Sequence, residues 1–295
     1  MSVLFNEKLT VEVSEMGAEL QSIKDRNHRE YLWQAGSLWP RRSPILFPIV
    51  CSVADDTYYV DGQPYHLPRH GFARDMKFHQ LETRLDAVTF VLHQTEETLK
   101  VFPYDFNLFV SYQLWENNIT VRWRVQNNSR REMHFQIGGH PAFLVPGCEE
   151  GKPLKGRIQV DNEGELRGLK SYIDGSHEMT EVTVPSDKGI INFDDDFFAN
   201  DSVKLHDCQT HHASLLNPDG TKAVTLHYDC PVIAFWSPWQ KQAPFVCLEP
   251  WFGVGDPRGY KGEFKDKPLM NHLLPGGAFV GEYVITIGDE STDKP

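Results

Sequence analysis

Long apolar runs, basic charge and nucleotide-binding motifs are all scarce in this chain, and each lack removes a class of function. The longest apolar stretch, Ile45-Leu-Phe-Pro-Ile-Val50, is far short of the roughly 20 residues that cross a bilayer as a helix. The first residues, Met1-Ser-Val-Leu-Phe-Asn-Glu-Lys8, carry no apolar segment of signal-peptide length. Only 29 Lys and Arg stand against 41 Asp and Glu. The resulting net charge of −12 opposes nucleic acid and anionic membrane surfaces, which both require a basic face. The 5 cysteines, at 51, 148, 208, 230 and 247, are odd in number and never form C-x-x-C. Neither a disulfide framework nor a zinc site is expected, and a reducing cytoplasm is the simplest location. There is no G-x-S-x-G, P-loop or G-x-G-x-x-G, so serine-hydrolase and nucleotide-dependent readings lose their main support.

What the chain does have is period two. Leu9–Val13, Ala87–Leu92, Leu108–Trp115, Ile119–Val125 and Phe279–Ile287 alternate apolar and polar residues and are rich in β-branched and aromatic side chains, the pattern of half-buried strands. Asp61-Gly62, Glu116-Asn117-Asn118 and Asn217-Pro-Asp-Gly220 supply turns between adjacent strands. Helical periodicity is confined to Thr95–Lys100. Many short strands joined by tight turns predict an all-β protein, a large antiparallel β-sandwich with few short helices, as a single domain over residues 1–295. The polar stretch from Glu149 to Ser186 reads as elaborated loops.

Two segments carry the chemistry. In Gly138-Gly139-His140-Pro141-Ala142-Phe143 and Cys247-Leu248-Glu249-Pro250-Trp251-Phe252, one titratable group precedes a proline beside an aromatic. Proline drives the preceding residue towards extended geometry, so His140 and Glu249 are expected at strand ends, facing a ligand. Gly138-Gly139 would let backbone approach that ligand. The competing reading of His140 is a core histidine satisfied by a neighbouring strand; of Glu249, a structural carboxylate capping a turn. Leu67-Pro68-Arg69-His70-Gly71-Phe72-Ala73-Arg74-Asp75 sets an imidazole between two guanidiniums and suits oxygen or phosphate ligands, unless it is a basic loop neutralised by Asp75. Arg41-Arg42 precede an apolar run, so at least one needs a partner, and the pattern does not choose between them. His206, Cys208, His211 and His212 match no familiar metal-ligand spacing and read as a polar loop; Asp194-Asp195-Asp196 reads as a solvated turn.

Taken in order, Trp39-Pro-Arg41-Arg-Ser-Pro44-Ile-Leu-Phe-Pro48, His70-Gly-Phe-Ala-Arg74, Gly139-His140-Pro-Ala-Phe143, Asn200-Asp201-Ser-Val203 and Ala243-Pro-Phe-Val-Cys-Leu-Glu249-Pro-Trp251 resemble the aldose 1-epimerase (mutarotase) family, in a divergent bacterial-type branch. The resemblance implies the galactose mutarotase-like supersandwich fold. It also implies Glu249 as catalytic base, His140 as catalytic acid, His70 and an arginine near 41 as ligands to sugar oxygens, and Asp201 as a hydroxyl ligand. Trp251 offers a flat apolar surface beside them. The galactose mutarotases carry Asn-Arg where this chain has Arg41-Arg42, which weighs against galactose as the substrate. The His-Gly-Phe-Ala-Arg segment is similar to the hexose-phosphate branch, with Arg69 and Arg74 as its phosphate ligands.

The expected activity is therefore interconversion of the α and β anomers of an aldohexose by ring opening and closing, without cofactor or metal. A hexose-6-phosphate mutarotase, a glycosidase using Glu249 with Asp201, and a carbohydrate-binding protein without activity are the alternatives. The sequence leaves the preferred sugar and the oligomeric state open. Glu249 and His140 are expected to converge on one pocket, held apart by about the width of a pyranose ring because direct contact would leave no room for a sugar, with His70 and Arg41 on its wall.

Overall fold

A computed structural model describes residues 1–288. Strand alternation is most regular in two 10-residue strands, Phe106–Trp115 and Asn118–Asn127, joined by the tight turn at Glu116-Asn117. In the second strand Ile119, Val121, Trp123 and Val125 are buried, while Arg122 and Arg124 reach solvent. Opposite faces of a pleated strand thus meet opposite environments, and the register is held because a slip of one residue would put the arginines in the core. Asn118–Asn127 also pairs with Ala278–Ile287, Val121 facing Tyr283.

These strands form the centre of a 9-stranded sheet; a second sheet holds 8 strands. Every strand ladder among the described residues is antiparallel. The path through the second sheet runs His177–Val184, Leu166–Ser171, Val203–His206, Val232–Trp236, Phe245–Phe252, Ile137–Gly139 and Ile45–Leu46, with Ala142–Leu144 also pairing to Phe245–Phe252. Side chains from both sheets interleave in one apolar cluster, including Trp123, Tyr283 and Ile285 from the first and Leu205, Ile233, Phe235, Val246 and Leu248 from the second. The fold is a galactose mutarotase-like β-sandwich. A separate 3-stranded sheet, Ser2–Phe5, Leu9–Val13 and Leu20–Asp25, adds its buried face to the same cluster.

The sole α-helix among the described residues is Glu96–Val101. It starts where expected because Thr95 and Thr98 each bond the other's backbone N–H, a reciprocal cap that offsets the short length.

Three expectations are corrected. The stretch from Glu149 to Ser186 is not a set of loops, since it contains the strands Lys155–Val160, Leu166–Ser171 and His177–Val184. Most side chains of His177–Val184, an edge strand, are exposed or half-buried, so polar composition masked sheet pairing. His206 and His212 are likewise strand residues, ending one strand and starting another, with only the segment between them a loop. Glu249 lies inside a strand and not at its end. Pro250 is tolerated there because the ladder on one side is interrupted at His140-Pro141.

Phe106 is fully buried, its ring 5.2 Å from that of Phe47 and 5.7 Å from that of Phe102. Phe106→Ala should cost about 3–5 kcal/mol in urea denaturation, because this side of the core cannot collapse around the lost ring.

Candidate active site

Phe245–Phe252 is buried on both faces. Val246 and Leu248 point into the sandwich core, whereas Cys247, Glu249 and Trp251 project from the outer face of the sheet. On the neighbouring side Trp251 pairs with Gly138 and Cys247 with Ala142. Counting inward from either pair brings Glu249 opposite His140. Their side chains touch, His140 Nε2 lying 3.1 Å from Glu249 Oε2, and both residues are almost wholly buried.

This contact overturns the expected ring-width separation. The two oxygens that exchange protons in a cyclic hemiacetal are both bonded to one carbon, so an acid and a base serving them need not straddle the ring. The role of the glycine pair is also different from that expected. A Cβ on Gly138 would lie 2.6 Å from Trp251 Cδ1, and one on Gly139 would lie 3.0 Å from the Tyr283 hydroxyl. The close approach is made by those two side chains, which seat the His140 segment on the sheet.

Burial is the leading influence on both members of the pair. It pushes the Glu249 carboxyl well above the usual carboxylate range, reinforced by the charge of Asp201 and opposed by Arg69 and Lys204. It holds His140 well below an ordinary histidine, with Arg69, Arg74 and Arg41 adding repulsion. Burial thus favours the neutral forms of both groups, carboxyl and imidazole, which lie 3.1 Å apart.

The imidazole of His140 is boxed by rings. Trp39 stacks on it at 4.9 Å, Trp236 meets it edge-on at 5.6 Å and His70 at 5.4 Å. His70 is also buried and kept neutral, first by burial and then by its cationic neighbours. The backbone N–H of Cys51 donates to His70 Nδ1 at 3.1 Å, so the ring proton of His70 resides on Nε2 and is free to donate to a ligand. His70, Cys51 and Asp201 all have left-handed backbones, with φ of 67°, 56° and 64°. Three such non-glycine residues on one wall are held by their surroundings, as at sites where geometry serves a ligand.

A cavity of about 420 Å³ opens over this pair, walled among others by Trp39, Arg69, His70, Arg74, Asp201 and Trp251. Its size falls in the range of small-molecule sites, about 300–1,000 Å³. Asp201 binds Arg69 at 2.9 Å. Arg74 donates to the Arg69 carbonyl at 2.6 Å, and burial with the nearby Arg41 brings its pKa down to about 10. Arg41 is not on the wall; its guanidinium turns to Asp75 at 2.9 Å. Arg42 points elsewhere again, to Gln21. A roomier cleft of about 820 Å³, near Tyr58, Asp256 and Arg258, contains neither member of the acid–base pair.

Residues 2–254 match the family model for aldose 1-epimerase. The chain belongs to the aldose 1-epimerase family. It is 31% identical over 294 residues to protein LacX of Lactococcus lactis subsp. lactis, covering 96% of this chain and 98% of that one. A galactose mutarotase related enzyme from Lactobacillus acidophilus superposes with a TM-score of 0.90 at 31% identity, over 99% of this chain and 98% of its own. A galactose mutarotase-like protein from Lactobacillus casei gives a TM-score of 0.92 at 29% identity, over 97% and 99%.

Within this aldose 1-epimerase fold, sequence reasoning brought together His140, Glu249, His70, Arg74, Asp201 and Trp251 and misplaced only Arg41 relative to the wall. It passed over the stacking role of Trp39, the edge contact of Trp236 and the fully buried Lys204 behind Asp201. A lone lysine ahead of an apolar strand residue gives no local signal of burial. His140, Cys247 and Glu249 place ligating atoms within 4.8 Å of one another, a set able to meet a metal. Cys247 is packed among Trp33, Ala142 and Phe245, and burial holds its thiol well above the ordinary range, which works against a thiolate ligand there.

His70, His140 and His177 are all held below pH 6.5, His177 to about 4, with burial the first cause in each. The unfolded chain takes up protons below 6.5 that the folded chain refuses. The contribution of these histidines is thus complete above that pH and is lost as the pH drops towards 4, while the single buried Glu249 carboxyl, ionised only in the unfolded chain, opposes it. The urea midpoint should be clearly lower at pH 5 than at pH 7.

Proposed function

We propose that this enzyme is a mutarotase for an aldohexose, with Glu249 as base and His140 as acid. The observation that carries the reading is the buried His140–Glu249 pair, 3.1 Å apart, on the floor of a sugar-sized cavity. Moving the carboxyl proton to the imidazole turns a resting neutral pair into a carboxylate and an imidazolium without exchange with solvent. An entering sugar comes between the two groups, its anomeric hydroxyl meeting Glu249 and its ring oxygen meeting His140.

Glu249 then takes the proton from the anomeric oxygen as His140 Nε2 gives one to the ring oxygen. The C1–O5 bond breaks, the electron pair of the O1–H bond forms the C1=O1 carbonyl, and the pair returns to its neutral state. Rotation about C1–C2 exposes the other carbonyl face, and the reverse transfers close the ring. His70 Nε2–H and the Asp201–Arg69 pair hold the remaining hydroxyls, while the Trp251 ring supports an apolar face of the sugar. Metal and cofactor have no step to perform in this scheme.

One observation favours a phosphorylated sugar as a second reading. Burial first, then the charges of Arg41 and Arg69, brings Arg74 down to about 10, and an anion would relieve the repulsive part. Against it, Arg69 is engaged by Asp201, and Asp75 faces both Arg41 and Arg74. A free hexose remains the first choice.

NMR exchange between anomers over glucose, galactose and their 6-phosphates tests both readings. Catalysis of a free hexose is expected, and a large preference for a 6-phosphate that disappears in Arg74→Ala would favour the second reading. No enhancement with any sugar would remove the proposal. Glu249→Gln and His140→Gln should each lower kcat roughly 100- to 10,000-fold, the usual range for lost general acid–base catalysis. His70→Ala should lower kcat/KM about 10- to 1,000-fold, with Arg41→Ala falling less because Arg41 reaches only Asp75.

A further inference from the structure

The short ribbon of Met133–Phe135 and Asn271–Leu273 carries a cluster of side chains that the acid–base scheme does not use. Met133 and Phe135 on one strand and Leu273 on the other point into the apolar core. Alternation therefore turns His134 and His272 to the opposite face, where they are direct partners across the antiparallel ladder. Their rings meet edge to face, with 4.9 Å between centroids. Glu132, two residues before His134, falls on the same face and brings Oε2 to 4.0 Å from His134 Nε2. Ligating atoms of all three side chains lie within 4.8 Å of one another.

The backbone beneath the cluster is fixed from behind. Asn127, fully buried, donates to the carbonyls of Arg131 and Leu273 at 2.9 and 2.8 Å and so clamps the two strands together. Asn271 donates to the carbonyls of Phe135 and Phe252, each at 3.0 Å. His134 is only 7% exposed, and its Nδ1 is buried with no hydrogen-bond partner among the described residues. Nε2 is thus the nitrogen presented to Glu132. Arg131, next to Glu132, is drawn off to Asp61 and to the Pro103 carbonyl. In the small cavity beside His134 the carboxylates Asp61, Glu132 and Glu263 outnumber the cations Arg131 and Lys265, a local balance that suits a positive ligand.

We propose that Glu132, His134 and His272 form a binding site for a late first-row divalent cation, Zn²⁺ foremost, which ties the two strands of this ribbon together. Two imidazoles and one carboxylate are a three-ligand zinc set, with water completing the tetrahedron. Bonds of about 2.0–2.2 Å require the ligating atoms to stand about 3.3 Å apart. Glu132 and His272 are exposed and can swing inward by that amount, while the buried His134 stays in place. Glu181, His206 and Asp207 form another cluster of this composition outside the cavity, but there the carboxylates approach opposite nitrogens of His206, at 3.4 and 3.1 Å, and do not converge on one point. Mg²⁺ and Ca²⁺, which take oxygen ligands, should not compete for the imidazoles.

Calorimetric titration of chelator-washed protein with Zn²⁺ should show one site. His272→Ala and Glu132→Gln, both at exposed positions, should each weaken it at least about tenfold, since losing even an outer partner of a metal ligand costs that much. Co²⁺ in place of zinc should give the visible bands of a low-coordinate nitrogen and oxygen site without thiolate charge-transfer bands, and Cys208→Ser should leave those bands unchanged. Zn²⁺ at about 100 times its Kd should raise the melting temperature by about 5 °C in the wild type and not in His272→Ala. No binding, binding that survives in both variants, or thiolate bands in the cobalt spectrum would overturn the proposal. None of these readouts uses anomer exchange, so the result stands apart from the mutarotase reading.

Discussion

The antiparallel register of Phe245–Phe252 with its neighbours is the constraint from which the site follows. Because side chains alternate along that strand, placing Val246 and Leu248 in the core forces Cys247, Glu249 and Trp251 outward. The pairing with Val232–Trp236 then aligns Ala234 and Lys204 with Glu249, and the broken pairing at His140-Pro141 sets the imidazole against the carboxylate. A slip of one residue in any of these ladders would send the acid–base pair into the sandwich and bring core leucines to the cavity.

Burial in this arrangement does two things at once. It shields the pair from water and drives both groups, 3.1 Å apart, towards their neutral forms. The surrounding charges act in opposition. Asp201 resists ionisation of Glu249, whereas Arg69 and Lys204 assist it. A site of this kind can exchange roles between acid and base with little rearrangement, which suits a reaction whose second half is the reverse of its first. The net charge of −12 has little say here, because the cavity wall has its own local balance and solvent screens charges beyond about 8 Å.

The aromatic lining has a mechanical role. Trp39 and Trp236 hold the His140 ring in one orientation, and Gly138 exists to admit the indole of Trp251. His70 is oriented from behind by the Cys51 N–H. His140 and His70 are thus each held in place by a neighbouring group, and three left-handed backbones, at Cys51, His70 and Asp201, lie on this wall.

Much of this was legible in the amino-acid order alone. Alternation in Ile119–Val125 and its partners demands a half-buried antiparallel strand, because pleating has period two. Asp61-Gly62 and Asn217–Gly220 demand turns, because their backbones are permissive. The motifs around His140, Glu249, His70 and Asp201 carried the family and pointed to residues that the fold brings to one cavity. Tertiary structure decided what depends on contacts between distant segments. It turned Arg41 to Asp75, placed Glu249 inside a strand, converted a polar stretch into three strands, and buried Lys204 behind the cavity. Local sequence reports propensity and period, whereas the partner of a charge and the depth of a side chain are set by which strand lies alongside.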